Sequence, residues 1–126
     1  MHPDMSNPYS KKINEFLKAS IKVATKQHPS EVVYVAVEGP RFETKAEIKM
    51  FSKLGGDVIG MTNVPEVLFA TEAGIPYASL AIVTNYGCGI SGTPITHEEV
   101  ETMMNQKRSE VSKVLSLTIN ALNRGV

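Results

Sequence analysis

The run from Val32 to Val37 is apolar throughout and stops at Glu38-Gly39-Pro40. It reads as a buried strand, and a helical pattern begins a few residues later, near Lys45. Between strand and helix stand Gly39-Pro40, an arginine (Arg41), an aromatic (Phe42) and a carboxylate (Glu43). In an α/β chain, ligands bind at the carboxyl ends of strands, so this strand end is the natural place to look for recognition chemistry. A flat ligand could stack on Phe42 while Glu43 accepts hydrogen bonds from its edge. The same residues also suit an ordinary strand-to-helix turn. Gly39-Pro40 would make the turn, and Thr44 would cap the helix with Glu47 three residues on.

The rest of the chain alternates around that strand. His2 to Pro8 reads as an extended arm, with His2 a solvated terminal residue. Ser10 is a candidate N-cap, and Ile13, Phe16, Leu17, Ile21 and Ala24 fall on one helical face. His28-Pro29-Ser30 is expected to end that helix, because the residue before proline disfavours the α region. After the strand, Thr44 to Leu54 is a second helix with a partial apolar stripe (Ala46, Ile48, Met50, Phe51, Leu54), closed by Gly55-Gly56. Asp57 to Met61 is a short strand. Asn63 is expected to cap a third helix, with Glu66 at the capping-box position and Pro65 in the first turn. That helix should stop at Gly74. Pro76 to Thr84 is apolar on both faces and reads as a third strand of a covered sheet. A glycine-containing loop follows, and Thr96-His97-Glu98-Glu99 opens a last helix. Its inward residues are expected to be Val100, Met103, Met104, Val111, Val114, Leu115 and Leu122, the two methionines as core filler.

This alternation argues an α/β fold with right-handed crossovers, a mixed sheet flanked by helices. Only three strands are expected, against about five or six in a typical sheet, and this suggests that part of the sheet lies elsewhere. The chain has 126 residues and zero formal net charge, which removes the electrostatic reason to expect nucleic acid or a membrane surface. With one cysteine, Cys88, no internal disulfide can form, and the cytoplasm is the expected compartment. No run is long and apolar enough to span a bilayer, and the N-terminus lacks a signal-peptide layout. His2, His28 and His97 have no metal-ligand spacing.

The strand ends offer Phe42 and Glu43, then Met61, Thr62 and Asn63, then Thr84 and Asn85. An aromatic, a carboxylate, a carboxamide and a hydroxyl suit a planar heterocycle with polar edges. The carboxamide of Asn85 could donate to a carbonyl oxygen and accept from a ring N–H. Each residue also has a plainer use: Thr62 and Asn63 as helix caps, Asn85 as a turn former, Cys88 as a small loop residue.

Taken together, Glu38-Gly39-Pro40-Arg41-Phe42-Glu43-Thr44, Ala46-Glu47, Gly60-Met61-Thr62-Asn63-Val64-Pro65-Glu66-Val67 and Thr84-Asn85 resemble the trimeric purine nucleoside and methylthioadenosine phosphorylase family. The likeness covers nearly the whole chain, but that family's chain is roughly twice as long. Residues 1–126 therefore look like one partial domain, the carboxyl-terminal half of a nucleoside phosphorylase-like fold. The resemblance implies phosphorolysis of a purine nucleoside to free base and ribose 1-phosphate, with phosphate as co-substrate and no metal or organic cofactor. By the same resemblance, Phe42 packs on purine and ribose, Met61 lies along the ribose, and Thr62 helps to hold phosphate. Glu43 meets the N1 edge of a 6-oxopurine. Asn85 contacts N7 and the 6-substituent and is the catalytic candidate. His97 would meet the 5′-hydroxyl, and His2 would reach the 5′ end of a substrate in a neighbouring subunit.

The family's glycine-rich phosphate loop and Arg-His pair have no counterpart here. The expected partners are therefore a purine nucleoside, phosphate, further copies in a homotrimer and a second chain carrying the N-terminal half. Adenine-selective members carry Asp-x-Asp where this chain has Asn85-Tyr86-Gly87, so a 6-oxopurine is the favoured base. Methylthioadenosine or methylthioinosine is the runner-up, because Glu38 and Arg41 look more like that branch. A non-catalytic remnant that binds purine or oligomerises is the alternative from outside enzymology.

Overall fold

The computed structural model describes residues 2–125. Three of the helices begin where a side chain offers the backbone a first hydrogen-bond partner. Ser10 accepts the amide of Ile13 at 3.4 Å, and α1 runs Lys11–Thr25. It ends earlier than the expected stop at His28-Pro29. Lys26 takes a left-handed conformation (φ 61°), and the Thr25 hydroxyl accepts the amide of Gln27 at 3.1 Å, so the local cap acts before the proline can.

The first strand is shorter than the apolar run that encodes it: β1 is Tyr34–Ala36. Thr44 caps α2, Lys45–Lys53, in a complete capping box with Glu47. The second strand, β2, is Val58–Gly60. It pairs with β1 in parallel, Tyr34 opposite Val58 and Ala36 opposite Gly60. A parallel pair needs a crossover connection, and α2 supplies it. The α/β reading is therefore correct for this part of the chain.

Two expectations fail here. Asn63 does not cap α3. That helix is Glu66–Glu72 with Pro65 at the cap position and no side-chain cap, while Asn63 is itself buried at 5% exposure. Nor does the run from Pro76 to Thr84 become a strand. Leu80 to Val83 forms no regular element, and among the described residues its backbone makes no hydrogen bond. A strand exists only against a partner, and the sheet of this chain has two strands.

The last helix, α4, is His97–Arg124. The Thr96–Glu99 capping box that opens it is present, at 3.2 and 3.3 Å. Val100, Met103, Val111, Val114 and Leu122 lie inward as expected, but Met104 and Leu115 do not: both are more than 40% exposed. The stripe advances through Lys107, Val114, Leu117 and Thr118, about one contact face wide, and leaves those two on its outer flank.

The chain divides into two compact units. The first comprises residues up to Ser30, Val64–Ala81 and the chain from Lys107 onward. Its core is Leu17, Val67 and Val114, with the hydroxyls of Ser20 and Thr118 buried beside them. Thr118 donates to the carbonyl of Val114 at 2.9 Å, so its burial leaves no unmet donor. The arm joins the same unit. The amide of Ser10 donates to the carbonyl of Tyr77 at 2.7 Å, and the rings of Tyr9 and Tyr77 lie 6.1 Å apart.

The second unit comprises Glu31–Asn63 and Ile82–Gln106. It contains β1, α2, β2 and the start of α4. Among its described residues no apolar side chain is buried. The apolar stripe expected on α2 is accordingly narrower: Ile48 and Phe51 face in, whereas Leu54 is 78% exposed.

Candidate functional site

The site residues of the second unit are gathered by its parallel pair. Ala36 and Gly60 are partners at the carboxyl ends of β1 and β2, and the ladder continues one step, with the amide of Val37 donating to the carbonyl of Gly60 at 3.0 Å. The two chains then leave the sheet side by side. Gly39 has φ 75°, a left-handed backbone that glycine adopts without a steric penalty. A Cβ placed there would lie 2.7 Å from the sulfur of Met61. The Met61 thioether therefore rests directly on the Gly39 backbone. This contact brings the loop carrying Phe42 and Glu43 next to Met61 and Thr62.

Phe42 is 43% exposed. Glu43 is half-buried, Met61 is half-buried and Thr62 is exposed. The third group arrives from the loop that follows the unpaired run. A Cβ on Gly87 would meet Ile48 at 3.0 Å, and one on Gly89 would overlap Lys45. The loop thus lies on the first half of α2, the helix that Phe42 and Glu43 lead into. Asn85 stands two residues before Gly87.

The Asn85 carboxamide is oriented by its neighbours. Its oxygen accepts from the Thr84 hydroxyl at 2.6 Å, and its nitrogen donates to the Tyr86 carbonyl at 2.9 Å. A carbonyl can only accept, so the amide has one orientation here. Among the described residues, one N–H and one oxygen lone pair of this amide remain unused. The turn reading and the ligand reading of Asn85 are therefore compatible: the turn positions the group, and the spare donor and acceptor are what a purine edge could use.

His97, the first residue of α4, is exposed. His2 belongs to the first unit and is exposed on its arm. Cys88 is a free thiol, half-buried. Among the described residues no group of three or more His, Cys, Asp or Glu side chains is placed to hold a metal ion, and no helix is long and apolar enough to cross a membrane. A shallow groove of about 370 Å³ lies along one face of α2, lined by Ala46, Lys49, Met50, Lys53 and Leu54. It contains none of the candidate residues. Its wall is hydrocarbon edged by two lysines, with nothing to read the polar edge of a heterocycle.

Sequence reasoning missed one feature of this loop. Arg41 makes a two-pronged ion pair with Glu47, Nη1 to Oε2 and Nη2 to Oε1, both at 2.9 Å. Glu47 also accepts the amide of Thr44 at 2.6 Å and its hydroxyl at 2.9 Å. The Arg41 hydrogen bonds, then the Thr44 amide and hydroxyl, pull the Glu47 carboxyl down to about 2. The Arg41 pKa is raised in return, first by hydrogen bonding to Glu47 and last by the charge of Glu43. Six positions separate the pair, which is not a helical spacing, and the irregular segment 42–44 between them brings Arg41 back to the first turn of α2.

Comparison with known proteins decides the family. The sequence profile of the phosphorylase superfamily matches residues 1–120.

The chain belongs to the phosphorylase superfamily.

It is 49% identical over 120 residues to a probable 6-oxopurine nucleoside phosphorylase of Dictyoglomus turgidum, covering 94% of this chain and 45% of that protein. It is 41% identical over 122 residues to a probable S-methyl-5′-thioinosine phosphorylase of Methanothermobacter thermautotrophicus, covering 97% of this chain and 42% of the other. Among solved structures, methylthioadenosine phosphorylase from Schistosoma mansoni in complex with adenine superimposes with a TM-score of 0.88 at 26% identity, over 98% of this chain and 49% of that one. The expected fold, half of a nucleoside phosphorylase, is the fold observed. The chain spans about half the length of the relatives it matches.

Proposed function

We propose that this phosphorylase-superfamily chain supplies the base and ribose contacts for phosphorolysis of a purine nucleoside, with a 6-oxopurine as the favoured base. The observation that carries this reading is the Gly39–Met61 contact, which ties the loop leading to Phe42 and Glu43 to the segment carrying Met61 and Thr62, beyond one pair of strand ends. In the reaction the C1′–N9 bond breaks, its electron pair passes to the purine, and a phosphate oxygen bonds to C1′. Phe42 offers a face to the base, Glu43 accepts from N1–H, and the spare N–H of Asn85 donates to the purine at N7 or O6. That last bond strengthens as negative charge arrives, which favours the transition state over the ground state. His97, and His2 from a neighbouring copy, would serve the 5′ end of the substrate. The active assembly would be a cytoplasmic homotrimer that uses no metal or organic cofactor.

Thr62 is one neutral hydroxyl and cannot hold a phosphate dianion unaided. The remaining phosphate contacts must come from a segment equivalent to the half of the relatives that this chain does not match, on the same or a separate polypeptide. The unpaired backbone of Leu80 to Val83 would find its partners there. A second substrate reading, S-methyl-5′-thioinosine, is favoured by the 41% identical relative of that name. It keeps the same 6-oxopurine and changes only the 5′ group.

The test is phosphate-dependent release of base from inosine, methylthioinosine and methylthioadenosine, by the chain alone and with the complementary half added. Release of hypoxanthine only in the combined sample is expected. Activity of these residues alone would overturn the need for the other half. Purine binding with no turnover in any sample would leave a binding remnant as the better account. Asn85→Asp should reverse the base preference, since an aspartate accepts from a 6-amino group but repels a 6-oxo group. Selectivity of roughly 100-fold between the two bases is the scale such a change can move.

A further inference from the structure

The capping box of α2 needs only Thr44 and Glu47, yet a third residue is built onto it. Arg41 Nη1 donates twice, to Glu47 Oε2 at 2.9 Å and to the backbone carbonyl of Phe42 at 3.0 Å. Its other prong, Nη2, holds Glu47 Oε1 at 2.9 Å. At the far end of the same stretch, the amide of Thr44 is held by the same carboxylate at 2.6 Å. One glutamate in the first turn of a helix thus ties down residue 41 through its side chain and residue 44 through its backbone. Phe42 and Glu43 lie between these two ties, and the Phe42 carbonyl is pinned by the arginine itself. The peptide that carries the two base-facing side chains has few ways left to rotate. An isolated surface ion pair has no such effect, because it joins two side chains and leaves the backbone free.

We infer that Arg41 is a positioning residue for the purine site: braced by Glu47, it fixes the Phe42–Glu43 peptide and thereby sets the approach of the aromatic face and the carboxylate to the base. This rests on the reading of Phe42 and Glu43 given above. It requires the planar fork of arginine. A lysine at the same place keeps the charge but presents a single point, and it cannot span both carboxylate oxygens and a carbonyl at once.

The experiment compares R41Q, R41K, E47Q and the double variant R41Q/E47Q, each read in two ways: hypoxanthine affinity by calorimetry, and amide exchange at Glu43 and Thr44. Misplacement of a base-recognition pair should weaken hypoxanthine binding roughly tenfold in R41Q. R41K should recover little of it, and the double variant should be no worse than the weaker single, because both remove one brace. Exchange at Glu43 and Thr44 should speed up in each variant, while thermal midpoints move little. Unchanged affinity with unchanged exchange would overturn the inference, as would full recovery by R41K. If the unaltered chain binds no hypoxanthine even with the complementary half added, the purine reading fails by itself, and the exchange arm still decides the brace: faster exchange in R41Q upholds it, an unchanged rate ends it.

Discussion

The two units of this chain solve opposite problems. The first buries Leu17, Val67 and Val114 and satisfies the buried hydroxyl of Thr118. The second buries no apolar side chain among its described residues, leaves a parallel sheet two strands wide, and holds every candidate site residue except His2. Parallel sheets ordinarily have both faces covered and several strands. A unit of this composition is held by local devices instead: the Thr44 capping box, the Arg41–Glu47 brace, and the turn packed on Met61. The site therefore sits on the part of the fold with the least apolar burial, where a partner segment or a ligand has most stability to add.

The largest effect expected from this contrast is in the first unit. Leu17→Ala removes a side chain that is 8% exposed, and should cost about 3 kcal/mol in urea denaturation. Leu54→Ala on α2 takes away as many atoms from a residue that is 78% exposed, and should stay within about 0.5 kcal/mol. Equal losses would mean that the two units share one core and would break the comparison. Gly39→Ala comes next. Its Cβ would press on the Met61 sulfur, and its φ of 75° is left-handed, at a cost of about 1–2 kcal/mol. The sharper expectation is functional: hypoxanthine affinity should fall further than a global loss of that size explains, because the contact joins the two halves of the site. A variant that binds normally would show that the Gly39–Met61 contact is structural only.

What the sequence made legible, and what it did not, follows the range of the interactions. Ser10, Thr44 and Thr96 cap their helices as read, because a cap is a bond between residues three apart. The pairing of β1 and β2 was readable because α2 gives the crossover its length. The run Pro76 to Thr84 has every mark of a strand and is not one, since strand identity depends on a neighbour that these residues do not include. Asn63 carries the signature of a cap and is buried instead, with the helix starting after Pro65. Met104 was counted as core and lies outside it, because a stripe on a long helix is only as wide as what packs against it. Within the site, Phe42, Glu43, Met61, Thr62 and Asn85 were named from motif resemblance; the structure puts Met61 against the loop that leads to Phe42 and Glu43, and lays the loop after Asn85 on the start of α2. The Arg41 brace was invisible, because nothing in the spacing of residues 41 and 47 announces a contact until the path of the irregular segment between them is known.

The smallest effect tests whether the second unit really depends on that brace. Glu47 is held at about 2, below its ordinary value of 4.5, chiefly by the hydrogen bonds from Arg41. A depressed carboxyl binds fewer protons folded than unfolded, so its contribution is complete above the unfolded value and disappears as pH falls through the folded one. The difference in stability between the natural chain and E47Q should therefore be constant above about pH 5, shrink between 4.5 and 2, and close near pH 2. Its magnitude is small because the pair is open to solvent, and salt should reduce it further. The informative readout is local. Amides of β1 and α2 should follow this pH profile, while those beside Leu17 and Val114 in the first unit should not. If both units respond alike, the brace stabilises the chain as a whole, and the division between a unit that buries its core and a unit that ties its loops loses its physical basis.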